Sequence, residues 1–289
     1  MGVYTRIAFT LFSGLSDGLA IFFPDLSEDL KRSGINISNK EYISIGILTS
    51  ALVFLVEIPI LAFIFGIIFK GILISLITSL TVSAIFTLLI FYLFTKYPKT
   101  IVAERSKKID SVLPFATLFL STIIGTKLPL SYVFKIFSQY SRYGEITRQI
   151  QLMNNDIELF GLDVHTALQR AVDRSPSKKL REMLWGILST SVSGGDIGVY
   201  LREKAAAQMN DYRRSLNDFA RRLTLFIEIY LTAVILGAIF FTILTSIFSG
   251  IAGAGSNIIL LQTIIIFLVL PALSAVFIFL VKISSPAGE

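Results

Sequence analysis

The sequence predicts an all-α membrane protein in which four transmembrane helices, arranged two plus two, flank a cytoplasmic six-helix bundle. Three observations carry that prediction. Of the residues, 54% are hydrophobic and only 16% charged, with a mean hydropathy of +0.73, and the charges gather in a few regions; this is the profile of a chain built for a bilayer. Four apolar stretches, Ile43 to Phe69, Ile72 to Phe94, Leu223 to Phe248 and Ile258 to Val281, carry at most one charge each. Each is long enough for a hydrocarbon core of roughly 30 Å at about 1.5 Å per residue. Between the second and third stretches, helical periodicity persists almost throughout, broken by turn residues at short intervals.

Residues 1–42 read as an amphipathic cytoplasmic lead-in. Ser13, Gly14, Ser16, Asp17 and Gly18 interrupt its apolar run, which speaks against a signal peptide, and Arg6 stands where a myristoylation motif wants Ser or Thr. Gly34 is placed to end a short helix, and Ser38 with Glu41 forms a capping box that launches the first span. Residues 43–95 make the first transmembrane hairpin, with Lys70 and Gly71 as its loop.

The segment 96–222 should fold as the helical bundle. Its apolar stripes are Leu130, Val133, Phe134 and Phe137; Ile146, Ile150, Met153, Ile157 and Phe160; Leu168, Ala171 and Val172; and Leu180, Met183, Leu184, Ile187 and Leu188. Such stripes demand a shared core. Ser175 before Pro176 reads as an N-cap followed by a first-turn proline. The last stripe runs Leu201, Ala205, Met209, Tyr212, Leu216, Phe219 and Leu223. It lies in a stretch without Gly or Pro from Val199 to Leu236, a continuous helix of roughly 57 Å leading from the bundle into the third span. Counting Glu104 to Ile124, the bundle has six helices. Residues 223–282 form the second hairpin, looped at Gly250 to Asn257, and 283–289 a cytoplasmic tail.

Orientation follows from charge. Residues 96–222 hold 20 of the 26 Lys and Arg and 12 of the 20 Asp and Glu, a net +8. The membrane flanks are the informative part: Lys96, Lys99, Arg105, Lys107 and Lys108 on one side, Arg213, Arg214, Arg221 and Arg222 on the other. By the positive-inside rule the bundle and both termini are cytoplasmic.

The chemistry to be expected is sparse. With no cysteine and one histidine, disulfides, thiolate metal sites and most metal constellations are excluded, and His165 beside Asp163 reads as a surface residue at a helix start. SVSGGD (Ser191 to Asp196) resembles a phosphate loop only superficially. No lysine follows until Lys204 and both flanks are helical, so Gly194 and Gly195 should end one helix and Asp196 cap the next. Glu57, near the middle of the first span and before Pro59, costs about 2.5 kcal/mol or more to insert; a packing role at a proline kink competes with proton chemistry. Arg170, Arg174, Lys178, Lys179 and Arg181 cluster around RAVDRSPSKKLRE, without the aromatics or module of nucleic-acid binding, and suit an acidic protein or anionic lipid. Trp185 falls about 140° from Leu180 around its helix, off the apolar stripe.

LPFATLFLSTIIGTKLPLSYVFKIFS (Leu113 to Ser138) and the run from Asp156 to Ala205 resemble the type II secretion system F domain. The markers are Gly125 in the first helix turn, Gly161 before the Ala-Leu helix, Pro176 and the Gly194–Gly195 turn. The lead-in and the two-plus-two spans are most similar to archaeal and tight-adherence-type members. The resemblance implies a non-catalytic, cofactor-free assembly platform in the cell membrane for a type IV pilus, archaellum or secretion machine. Its cytoplasmic domain would engage a hexameric secretion ATPase, for which the basic cluster and Trp185 are the candidate docking residues, and its spans would handle pilin-like subunits. One F domain rather than two in tandem implies pairing with itself or with a second platform protein. The competing expectation is a small membrane transporter or channel using Glu57.

Overall fold

The computed structural model describes residues 3–69, 71–126, 128–252, 260 and 263–284. The loop residue Lys70, most of the expected loop from Gly250 to Asn257 and the tail beyond residue 284 lie outside them. Among the described residues every regular element is helical: α1 (Val3–Ala20), α2 (Leu26–Ser33), α3 (Asn39–Ile68), α4 (Ile72–Ile124), α5 (Leu130–Tyr140), α6 (Glu145–Glu158), α7 (Val164–Arg174), α8 (Lys178–Val192), α9 (Ile197–Ile229), α10 (Gly237–Ala252) and α11 (Leu270–Ser284), with π-helical turns over Tyr230–Leu236 and Ile265–Val269. Four helical stretches are long and apolar enough to cross a membrane: Asn39–Ile68, Ile72–Ile124, Ile197–Ile247 and Ile265–Lys282. Met1–Leu201 and Arg202–Glu289 form two compact units.

In the first unit α3 and α4 pack as a hairpin. The predicted capping box is present: the Glu41 N–H donates to Ser38 Oγ (3.2 Å) and the Ser38 N–H to Glu41 Oε2 (3.0 Å). Gly34 ends α2 at φ +78°. α4 is one helix of 53 residues, roughly 80 Å long, so span and bundle are continuous on this side as well. Pro98 lies inside it and has no N–H to give the carbonyl of Phe94 four residues earlier. The Tyr42 hydroxyl supplies the missing donor at 2.9 Å, with its ring stacked on Phe94. Gly46 permits this approach, since a Cβ there would lie 2.9 Å from the Phe94 ring.

The bundle core is assembled from Ile109, Leu113, Ala116 and Leu120 of α4, Val133, Phe134 and Phe137 of α5, Ile146, Ile150 and Met153 of α6, Leu168 and Ala171 of α7, and Leu180, Met183, Leu184 and Ile187 of α8. The predicted stripes therefore meet, each buried large side chain contributing about 1.5–3 kcal/mol. Phe160 is the exception. α6 ends at Glu158, and Phe160 sits in the exposed turn at Gly161, whose φ of +66° requires glycine.

Two further boundaries differ from the sequence-based expectation. The N-cap of α8 is Ser177, whose Oγ accepts from the Leu180 N–H at 3.1 Å, whereas Ser175 closes α7 in extended conformation and Pro176 lies in the connection. The reason is tertiary: the Ser177 hydroxyl also donates to Asp110 of α4, which anchors the buried Ser175–Ser177 turn. The helix predicted from Val199 to Leu236 starts at Ile197, and its hydrogen bonding turns π-helical over Tyr230–Leu236 before α10 continues it.

In the second unit, the Tyr230 and Ser274 hydroxyls lie 2.9 Å apart and the Tyr230 and Phe277 rings 4.7 Å apart, tying the π-helical turn to α11. Leu216 on the long stripe is exposed.

Candidate docking surface and intramembrane polar seam

The SVSGGD turn carries no phosphate-loop geometry. α8 ends at Val192, Gly194 adopts φ +73°, and the Gly195 N–H donates to Thr190 O at 2.9 Å. Asp196 Oδ1 accepts from Gly198 N (2.7 Å) and Val199 N (3.1 Å), so it caps α9 as expected. Gly125 closes α4 in the right-handed region, where any L-residue fits. Gly144, at φ +54° and ψ −114°, is a glycine-only conformation that no sequence motif announced.

The basic cluster divides in two. Arg174 and Arg181 point inward. Arg174 Nη1 donates to Asp156 Oδ2 at 2.9 Å, the side chains being 25% and 11% exposed, which links α7 to α6. Arg181 approaches Glu28 of α2 at 4.0 Å. The signal for Asp156 in the sequence is a carboxylate three residues from Met153, on the buried face of α6. The neighbouring helices are tied similarly: Arg105 of α4 donates through Nη1 to Arg32 O (2.8 Å) and through Nε to Glu145 Oε1 of α6 (3.0 Å).

Arg170, Lys178 and Lys179 are exposed. Lys178 and Lys179 open α8, where the positive end of the helix dipole disfavours cations by about 0.3–1 kcal/mol. Their face continues through Glu182 to Trp185, which is 55% exposed, and Val192. The exposed side of α8 thus presents lysines at one end and large apolar side chains along its length. His165 Nε2 lies 3.1 Å from Ser191 Oγ on the surface. Asp163 caps α7 through the N–H groups of His165 and Thr166, and hydrogen bonds from the Thr166 side chain and backbone hold its carboxyl below the usual range. No cluster of metal-ligating side chains occurs among the described residues.

Glu57 lies within the α3–α4 hairpin. Tyr42 pairs with Phe94 and the Ser75 hydroxyl oxygen lies 3.2 Å from Phe65 O. That register sets Glu57 at the level of Ser79 and Ser83. Ser75, Ser79 and Ser83 are all buried, one per turn of α4, and small residues at this spacing let helices approach closely in lipid. Glu57 Oε2 and Ser83 Oγ are buried with no hydrogen-bond partner among the described residues.

The all-helical architecture of the described residues, four stretches long and apolar enough to cross a membrane, and a helical domain built onto one of them mark the class of multi-pass membrane proteins. Residues 116–245 match the family model of the type II secretion system (T2SS), protein F. Over 137 residues, 47% of the chain, it is 26% identical to the uncharacterized protein MJ1286 of Methanocaldococcus jannaschii; the match spans 23% of that protein's length. No solved structure matches the chain.

Proposed function

We propose that the protein is the assembly platform of a type IV pilus-like filament or secretion machine in the cytoplasmic membrane, coupling a hexameric secretion ATPase to the insertion of pilin-like subunits. The observation that carries this reading is the family match, which covers the bundle from the end of α4 into α10. α4 supports it mechanically: one uninterrupted helix contributes both a span and Ile109, Leu113, Ala116 and Leu120 of the bundle core, so a push on the bundle reaches the bilayer without crossing a loop.

The basic flanks favour a bundle (96–222) and termini on the cytoplasmic side, and the archaeal relative favours an archaeal or tight-adherence kind of platform, paired with itself or a second platform protein. The platform has no chemistry of its own. The ATPase docks on the exposed face formed by Arg170, Lys178, Lys179 and Trp185, where charge sets encounter rate and orientation, while Arg174 and Arg181 hold that face in shape. The transporter reading is not favoured: Glu57 is the one charged side chain in the apolar stretches of α3 and α4.

Reversing Arg170, Lys178 and Lys179 to Glu tests the assignment. Detergent-solubilised protein should insert and fold normally yet capture the cell's own secretion ATPase more weakly, and added salt should weaken wild-type capture in the same direction. Equal capture by the reversal variant at low salt would remove the docking surface, and no capture by the wild type would remove the platform reading.

A further inference from the structure

Residues 3–20 lie in an unexpected place. α1 runs antiparallel along α3: the Tyr4 hydroxyl lies 3.0 Å from Thr49 Oγ1, and Lys40 Nζ pairs with Asp17 at 2.6 Å. The boundary of the apolar layer can be read from α4, whose apolar run ends at Phe94, two residues before Lys96. Tyr42 bonds the Phe94 carbonyl, so the same level on α3 is Tyr42. Thr49, seven residues further, lies roughly 10 Å inside that layer. Tyr4 therefore sits at depth, and the Asp17–Lys40 pair just outside.

The surface of α1 suits that position. Thr5, Ala8, Phe12, Ser16 and Leu19 form its covered side. At about 100° per residue, Tyr4, Ile7, Leu11 and Leu15 share a different face, and that face is exposed, Leu11 by 65% and Leu15 by 62%. Arg6, Thr10, Ser13 and Asp17 are confined to one narrow stripe between. A helix in water would not leave that apolar face bare; a helix in an interface requires it. The face is also continuous with the outer face of α3, where Leu52 and Leu55 are exposed along a membrane-crossing helix.

We infer that α1 is a half-inserted helix: its N-terminal half lies among the acyl chains of the leaflet that α3 enters first, its C-terminal half in the headgroup layer, and its Tyr4–Ile7–Leu11–Leu15 face contacts lipid. The salt bridge at Asp17 and the cluster of Leu26, Leu30, Tyr42 and Ile43, packed by Leu19 and Phe23, fix how deep it goes. The lead-in is then part of the membrane domain, and it limits which side of α3 a neighbouring helix can reach.

The chain has no cysteine, so single nitroxide labels at Ile7, Leu11 and Leu15 report cleanly, with Leu55 as the buried-in-lipid control and Lys179 as the aqueous one. The full-length protein would be reconstituted in phosphatidylcholine–phosphatidylglycerol vesicles and probed with oxygen and a water-soluble nickel chelate. The oxygen-to-nickel collision ratio at Ile7 should approach that at Leu55 and fall stepwise through Leu11 to Leu15. Nickel access at Ile7 and Leu11 equal to that at Lys179 would place α1 in water and overturn the inference. Exclusion of both reagents would also overturn it, by showing the face covered by protein such as a second copy. Leu11→Trp in a Trp185→Phe background, with bromines in the acyl chains as quenchers, probes the same depth without a label: strong quenching is expected, and unquenched fluorescence rejects insertion.

Discussion

Replacing Arg174 by Met should loosen the bundle even though Arg174 lies within a run of surface charge. Asp156 keeps only 11% of its side chain exposed, and Arg174 Nη1 is its charged partner at 2.9 Å. Removing one member of a buried pair leaves the other charge uncompensated, which costs about 3–5 kcal/mol. Arg174 retains 25% exposure, so water offsets part of that loss and about 2–3 kcal/mol is expected. That is a rise of about 30- to 150-fold in the local opening equilibrium. Native-state hydrogen exchange in detergent micelles reads it directly, as lost protection across α6 and α7. Arg170→Met, on the same helix but exposed, should stay within about 0.5 kcal/mol. Pairing Arg174→Met with Asp156→Leu should recover most of the protection, because an apolar pair replaces the ionic one without an orphan. If Arg174→Met opens the bundle no more than Arg170→Met does, the pair contributes nothing and the division of the basic cluster fails.

Gly186→Ala should destabilise the α8–α9 contact by about 1–3 kcal/mol in denaturant titrations, because its Cβ would fall 1.9 Å from the Tyr200 hydroxyl oxygen; a neutral result would mean the ring can move aside freely. Tyr42→Phe should cost about 1–3 kcal/mol by leaving the Phe94 carbonyl without a donor, seen as a lower melting temperature with an unchanged helical signal; no shift would mean water reaches that carbonyl. If the proposed platform role holds, Glu57→Gln should keep filament numbers near wild type in electron micrographs, since the amide retains the hydrogen-bonding shape of a carboxyl group. Loss of filaments in a normally inserted Gln variant would assign Glu57 a role that needs its proton.

Most helices and several of their caps were legible because local physics decides them. Ser38 and Glu41 satisfy each other within one turn, Asp196 caps the residues immediately following, and Gly34 and Gly194 are the side-chain-free residues that a left-handed turn needs. The stripes on α5 to α8 were equally plain, since a 3.6-residue period of apolar side chains has only one low-energy use. Long apolar runs, likewise, have to cross something apolar.

Tertiary structure alone decided what depends on partners distant in sequence. Ser177 rather than Ser175 caps α8 because Asp110, 67 residues earlier, holds its hydroxyl. Arg174 turns inward because Asp156 is buried beside it, while Lys179, five residues on, stays in water; nothing in the spacing RAVDRSPSKKLRE separates the two. Pro98 is tolerated inside α4 because Tyr42 of another helix repairs the bond it breaks. α1 lies along α3 because a small-residue face at Ala8 and Ser16 meets that helix, a pairing that no local pattern encodes. A one-dimensional pattern shows which face of a helix avoids water, but what covers that face, protein or lipid, is set by packing between segments brought together only on folding.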